Sequence, residues 1–218
     1  MAFKAVIAGA SGLIGSNLLT ILLNQPEYTD VLILIRKELP VQHKKLKQVV
    51  VNFDRLDDHA NEINGHAFFS CLGSTQKKTP DLKDYYKIDH DYTLHLAQLA
   101  AQNGIEQFHL VSSLGADSKA SNFYLKTKGE VENDVTKAGV KCLHIYRPAF
   151  LTGDRKEYRF AEKILVPLMA IINPLLFGKL KKYQSIPAHT VAMAMFKQSI
   201  INKEGVFIHP SDQIKEIA

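Results

Sequence analysis

The sequence predicts an α/β fold: one domain over residues 1–218, built on a doubly wound parallel sheet. Three observations carry this. Short, wholly apolar runs rich in β-branched residues recur, as in VLILI at 31–35, and such runs suit strands covered on both faces. Stretches with helical apolar spacing alternate with them, the pattern of βαβ units. The first strand runs straight into Gly9-Ala10-Ser11-Gly12-Leu13-Ile14-Gly15, followed by Leu18, Leu19, Leu22 and Leu23 on one helical face. With 218 residues, 46% hydrophobic and 22% charged, the chain can bury one full core and does not read as disordered.

Taken in order, strand one leads through the glycine turn into a first helix, which Gln25-Pro26-Glu27 stops. Strands two and three are expected at 31–35 and 48–53, joined by a basic linker. A short helix at 56–63 and strand four at 67–72 follow. A long helix over 81–103 shows Tyr85, Ile88, Tyr92, Leu96 and Leu99 on one face and ends at Gly104. Strand five is 108–111. Another helix starts near Ser121 and ends at Gly139, and strand six is 143–146. Right-handed crossovers then predict a Rossmann-type order 3-2-1-4-5-6. After Asp154 the rhythm changes. Residues 154–203 are expected to form C-terminal substrate or lid helices, one over 159–182 and one over 188–200. A short strand at 184–186 and a seventh strand at 206–208 complete the expectation.

The glycine turn is where the chemistry begins. Gly9 permits a tight turn. Gly12 lets the backbone approach a pyrophosphate, and Gly15 lets the helix pack on the strand. Ser11, Leu13 and Ile14 complete this set, and the helix N-terminus offers free amides and a positive dipole end. Strand two ends in Arg36-Lys37, at the point where an NAD enzyme places an acid on the ribose 2′-hydroxyl. A guanidinium there favours a 2′-phosphate, so the cofactor expected is NADP(H). Asp54 stands where a carboxylate reaches an adenine amino group, with Leu56 beside it; an N-cap for the short helix is the alternative role of Asp54. Cys71, Leu72 and Gly73, at the end of strand four, are expected cofactor contacts, and the small-residue turn Gly73-Ser74-Thr75 is placed to pass under the cofactor ribose.

Ser113 ends strand five, and Tyr124 and Lys128 stand one helical turn apart just after it. That is an acid/base set. A tyrosine phenol has a reference pKa near 10, and an adjacent ammonium favours its phenolate. Ser113 would hydrogen-bond a substrate oxygen, and Lys128 could also bond the ribose. Ser112 competes with Ser113 and is placed with the cofactor contacts. Arg147, Pro148, Ala149 and Phe150, where strand six breaks, are further expected cofactor contacts.

These features resemble the short-chain dehydrogenase/reductase superfamily, in its extended and atypical branches. VNFDRLDD (51–58), SCLGST (70–75), IDHDYTLHLAQLA (88–100), LVSSLGADSKASNFYLKTKGEVE (110–132) and YRPAFLTGDR (146–155) are similar to the Tat-interacting protein 2 family of atypical reductases. The resemblance covers most of residues 3–155 and fades afterwards. It implies an NADPH-binding, single-domain, reductase-like protein, in a family described more as cofactor-binding regulators than as enzymes of known substrate. Many related enzymes carry an asparagine on the helix after strand four that supports a water relay to the lysine. The matching position here is Asp89.

Three functional readings follow. The first is an NADP(H)-dependent oxidoreductase acting on a small carbonyl or alcohol. The second is an NADP(H)-sensing interaction protein with little turnover. The third is a nucleotide-sugar epimerase, ranked last because about 65 residues after Asp154 are few for a sugar-binding lobe. The net charge of +5 suits an anionic cofactor, and with no basic run interleaved with aromatics a nucleic-acid partner is not expected. Two cysteines, Cys71 and Cys142, and nine scattered histidines suggest neither a disulfide framework nor a metal centre. The apolar stretch between Ile164 and Phe177 (ILVPLMAIINPLLF) is flanked by Arg159, Lys163, Lys179, Lys181 and Lys182. It reads first as a pocket wall or core segment, then as a homodimer face, then as a shallow membrane contact. The expected location is cytoplasmic.

Overall fold

The structure is a computed structural model, and it describes residues 2–153 and 176–218. Seven strands form one sheet in the order β3-β2-β1-β4-β5-β6-β9. They are β1 (Phe3–Ala8), β2 (Tyr28–Ile35), β3 (Leu46–Val50), β4 (Ala67–Ser70), β5 (Gln107–Val111), β6 (Cys142–Arg147) and β9 (Gly205–Pro210). Every neighbouring pair is parallel. The expected order holds, and the seventh strand lies beside β6.

Strand alternation divides the core into two layers. Ala5, Ile7, Ile33 and Phe69 point to one face, with Leu18, Leu22, Val191 and Met195. Their cover is α1 (Leu13–Asn24) and α5 (Ala188–Ser199). Val6, Leu32, Phe68 and Phe108 point to the other, under α3 (Tyr92–Gln102) and α4 (Phe123–Thr136). Phe68 and Phe108 stack at 5.1 Å with no exposed surface, each burial contributing about 1.5–3 kcal/mol. The chain reverses its winding between β1 and β4, and in such sheets the ligand crevice lies at the strand ends there.

Several elements differ from the sequence reading. β2 starts at Tyr28, not 31, because Tyr28 is fully buried and its hydroxyl donates to Ser199 Oγ at 2.7 Å. β3 starts and stops earlier than 48–53, because Asn52 takes the capping position of a 3-10 helix, Phe53–Glu62. The Asn52 side chain accepts the Asp54 N–H at 3.0 Å, so the cap role considered for Asp54 belongs to Asn52. The single helix expected over 81–103 is three pieces: α2 (Leu82–Tyr86), a π-turn at Lys87–Asp91, and α3. Gly104 stops α3 at φ +70°.

Residues 154–175, which hold the first part of the expected substrate or lid region and most of the stretch 164–177, lie outside the described residues. Gly178–Tyr183 is a 3-10 helix. β7 (Leu151–Thr152) pairs with β8 (Ile186–Pro187) in a small second sheet. Residues 188–199 form α5, which buries Val191, Ala192, Ala194 and Met195 against α1. A final helix, α6 (Ser211–Ile217), follows β9 directly and had no counterpart in the sequence reading. No helix among the described residues is long and apolar enough to cross a membrane.

One buried feature had no sequence signal. His109, His144 and His209 stack side by side across β5, β6 and β9, with centroids 4.8 and 5.2 Å apart. Phe69 and Phe207 extend the stack. Burial first, then neighbouring positive charge, lowers all three histidines, His144 to about 3 and His209 to about 4.

Candidate functional site

The glycine turn is held by close backbone contact. Gly9 has φ +86°, and a Cβ there would stand 2.4 Å from the Cys71 carbonyl oxygen. A Cβ on Gly15 would stand 2.2 Å from the Gly9 carbonyl oxygen. The Gly12 N–H donates to that same oxygen at 3.0 Å. Gly12 is the N-cap of α1 and makes no side-chain cap bond, so the first-turn amides are open to an anion. Ser11 and Gly12 are exposed, Leu13 is half-buried, and Ile14 is buried in the α1 core. This cradle fits a pyrophosphate, because each position where a Cβ would intrude is glycine.

A cleft of about 420 Å³ opens beside the turn, lined by Ser11, Ile35, Arg36, Lys37, Glu38 and Leu39. The fold thus sets Arg36 and Lys37 beside Ser11. Glu38 lines the same cleft, and its place one residue past Arg36-Lys37 is the signal in the sequence that marks it. Asp54 is solvent-exposed, with Lys87 Nζ at 2.6 Å and the Tyr92 hydroxyl at 2.5 Å. Those two hydrogen bonds, Lys87 first, hold its carboxyl below the usual range. The Leu56 side chain has no exposed surface and belongs to the core under α3.

The end of β4 links the turn to the acid/base residues. Cys71 touches Gly9 through its carbonyl, and burial pushes its thiol up to about 12. Leu72 is half-buried. A Cβ on exposed Gly73 would sit 3.6 Å from Asp89 Oδ1 and 3.8 Å from Lys128 Nζ. Lys128 is 5% exposed and Asp89 1%. Their charged atoms are 2.8 Å apart. Asp89 Oδ2 accepts the Ser74 N–H at 2.7 Å. Burial works to lower the Lys128 pKa, but the charges of Asp89 and then Tyr124, with the Asp89 hydrogen bond, carry it above its ordinary value.

Helix α4 starts at Asn122, whose side chain accepts the Leu125 N–H at 3.1 Å. Tyr124 lies one turn before Lys128 and is 39% exposed. The two serines separate. Ser112 is buried and its hydroxyl donates to Glu132. Ser113 is half-buried, and its hydroxyl makes only a long 3.4 Å contact to the Leu114 carbonyl. The Arg147 guanidinium holds Glu132, its Nε lying 3.0 and 3.2 Å from the two carboxylate oxygens. Pro148 accepts the Leu114 N–H at 3.0 Å and so ties the Ser113 loop to the end of β6. The Ala149 N–H donates to Ser211 Oγ at 2.6 Å, and the Phe150 carbonyl accepts from Ile186 at 2.9 Å.

Two positioning residues escaped the sequence reading. Gly129 lets the Ser113 loop lie on α4, for a Cβ there would meet Ser118 N at 2.1 Å. A glycine inside a strong helical pattern was the available signal. Glu132 anchors both Ser112 and Arg147, and nothing in its local sequence announces that. Among the described residues no group of three or more His, Cys, Asp or Glu is placed to hold a metal ion.

A glycine turn that opens a helix at the β1/β4 switch point is the build of a dinucleotide-binding fold. The chain belongs to the NAD(P)H-binding family, whose model matches residues 9–167. It is similar to Protein HTATIP2 of Rattus norvegicus, with 38% identity over 160 residues, 72% of this chain and 66% of that protein. It is also similar to the mitochondrial Protein FMP52 of Saccharomyces cerevisiae, with 36% identity over 155 residues, 70% of this chain and 67% of that one. The match thus spans about two thirds of these relatives' length. Solved structures share the fold: the Bordetella bronchiseptica enzyme WbmH in complex with NAD+ has a TM-score of 0.74 at 16% identity, over 99% of this chain and 79% of that one. MoeE5 in complex with UDP-glucose and NAD gives 0.71 at 16% identity, over 94% and 74%.

Proposed function

We propose that this protein is an NADP(H)-dependent oxidoreductase that interconverts a small carbonyl compound and its alcohol. The observation that carries the reading is the seating of Lys128 Nζ against Gly73 at the end of β4. It joins the acid/base helix to the strand whose Cys71 carbonyl packs on the glycine turn. Gly9, Ser11, Gly12, Leu13 and Gly15 would hold the pyrophosphate, and Arg36 and Lys37 the 2′-phosphate. A reduced nicotinamide bound there supplies hydride to the carbonyl carbon. The chain's own part is the proton: the Tyr124 O–H gives its proton to the carbonyl oxygen as the alcohol forms. The Ser113 hydroxyl donates a hydrogen bond to that oxygen, and Lys128 stabilises the phenolate left behind.

The test pairs binding with turnover. NADPH should bind tighter than NADH by about one to three decades, as a few charge-assisted bonds to the 2′-phosphate predict. Arg36→Ala should remove that preference. In a carbonyl screen, Tyr124→Phe and Ser113→Ala should abolish or cripple turnover and leave NADPH binding intact. Ser112→Ala should instead lower stability, since it loosens Glu132. Retained turnover in Tyr124→Phe defeats the assignment.

Asp89 favours a second reading, a cofactor-sensing protein with little turnover, because it stands beside Lys128 where a relay asparagine is usual. A partner whose capture changes with NADPH would support it, and identical capture with and without NADPH would count against it. A cytoplasmic location belongs to the same proposal and is checked by cell fractionation.

A further inference from the structure

We propose that the 3-10 helix Gly178–Tyr183, with Phe177 before it, is a docking surface that seats the protein on an anionic lipid bilayer. This surface goes beyond the reductase reading and does not depend on it.

Three features of the molecule carry this. The first is a stripe of exposed apolar side chains. Phe177 is 75% exposed, Leu180 48% and Tyr183 47%. A 3-10 helix has three residues per turn, so side chains three apart eclipse one another. The Leu180 N–H donates to the Phe177 carbonyl at 3.1 Å, which closes the first such turn. Two aromatic rings and a leucine therefore line one edge of the helix and meet solvent. The second feature is charge. Lys181 falls on the row to one side of the stripe and Lys182 on the row to the other, with Lys182 Nζ 5.2 Å from the centre of the Tyr183 ring. Between Glu162 and Glu204 the chain has six lysines and no Asp or Glu. The third is preorganisation. The Gln184 amide donates to the Leu176 carbonyl at 2.8 Å, and Lys215 Nζ, on α6, donates to Gln184 Oε1 at 3.0 Å. The stripe is thus tied to the body of the fold before anything binds it.

A stable protein interface takes a matched surface of about 800 Å² from each partner, and three side chains on one short helix do not supply it. A bilayer needs no matched surface. Phe, Leu and Tyr side chains enter the headgroup boundary one by one, and lysines beside them meet the anionic headgroups. Each lysine lays its aliphatic stem along the apolar side chains while its ammonium stays in the polar layer. The net charge of +5 draws the whole chain to the same surface.

The test is co-sedimentation of the full chain with phosphatidylcholine vesicles, with and without phosphatidylserine. The chain should pellet with the anionic vesicles and stay in solution with the neutral ones. Raising the salt from about 0.1 M to about 1 M shortens the Debye length from ~10 to ~3 Å and should release most of it. Lys181→Gln and Lys182→Gln should each weaken binding about fivefold, the equivalent of ~1 kcal/mol for one lysine at an anionic surface. Phe177→Ser combined with Leu180→Ser should weaken it about tenfold or more. These side chains are exposed, so thermal melts followed by circular dichroism should match the natural chain. Leu82→Ser, at an exposed leucine on α2, should bind vesicles as the natural chain does. No binding to anionic vesicles at low salt, equal binding to neutral ones, or binding untouched by the stripe variants overturns the proposal. So does self-association, seen by sedimentation velocity, that Leu180→Ser breaks in a chain that ignores vesicles, because the stripe is then a contact between copies.

Discussion

Lys128→Met isolates the energetics of the buried pair. The change removes the ammonium and leaves the Asp89 carboxylate, 1% exposed, facing an apolar chain at 2.8 Å from where the charge stood. Breaking a buried pair from one side costs about 3–5 kcal/mol, because an uncompensated charge stays behind. With a urea slope of about 3 kcal/mol/M for a chain of this size, the unfolding midpoint should fall by about 1–1.5 M. The chain has no tryptophan, so far-ultraviolet circular dichroism is the probe. The pH dependence has a definite sign. In the natural chain Lys128 is raised, so its contribution is complete below the unfolded lysine pKa and is lost as pH rises through the folded one. In Lys128→Met the stranded carboxyl binds its proton more readily folded than unfolded. The stability gap to the natural chain should therefore narrow as pH falls from 7 towards 5. Adding Asp89→Asn to Lys128→Met removes the stranded charge and should recover most of the loss. A loss under about 1 kcal/mol in the single variant, or an equal loss in the double, refutes the reasoning.

Two further predictions concern the turn and the histidines. Gly9→Ala forces a side chain into φ +86° and against the Cys71 carbonyl at 2.4 Å, so it should lose NADPH binding and cost more than the ~1–2 kcal/mol of left-handed strain alone. Gly104→Ala, at φ +70° with nothing within 4 Å of its Cβ, should show only that strain and unchanged binding. The buried histidines are held neutral, with His209 near 4 and His144 near 3. Their folded pKa lies below the unfolded value, so stability should be complete above about pH 6.5 and fall as pH drops towards 4. His144→Phe, which keeps the stack and removes one titrating ring, should flatten melting temperature against pH across that window. An unchanged slope argues against the ladder as the source of acid sensitivity.

Much of the sheet was legible because its strands announce themselves locally. VLILI is apolar on both faces, and only a central parallel strand tolerates that. The glycine turn was legible because its spacing follows from contacts within one βα unit. The ends of strands were less so, because β2 and β3 are trimmed or extended by distant partners such as Ser199 and by the Asn52 cap. The π-turn was invisible, since Lys87–Asp91 keeps a helical apolar pattern whichever way its backbone is wound. Ser112 and Ser113 look equivalent in sequence. They part company only when Glu132, 20 residues on, takes the first.

By itself, then, the sequence determined the class of fold, the glycine cradle, the arginine at the end of β2, and a tyrosine and lysine on one helix face. Each depends on residues within a few positions of one another. Tertiary structure alone decided that Asp89 is paired with Lys128, that Arg147 holds Glu132, and that three histidines stack across separate strands. Those are meetings of residues 15 to 65 positions apart, and the close packing that brings them together belongs to the whole sheet rather than to any stretch of it.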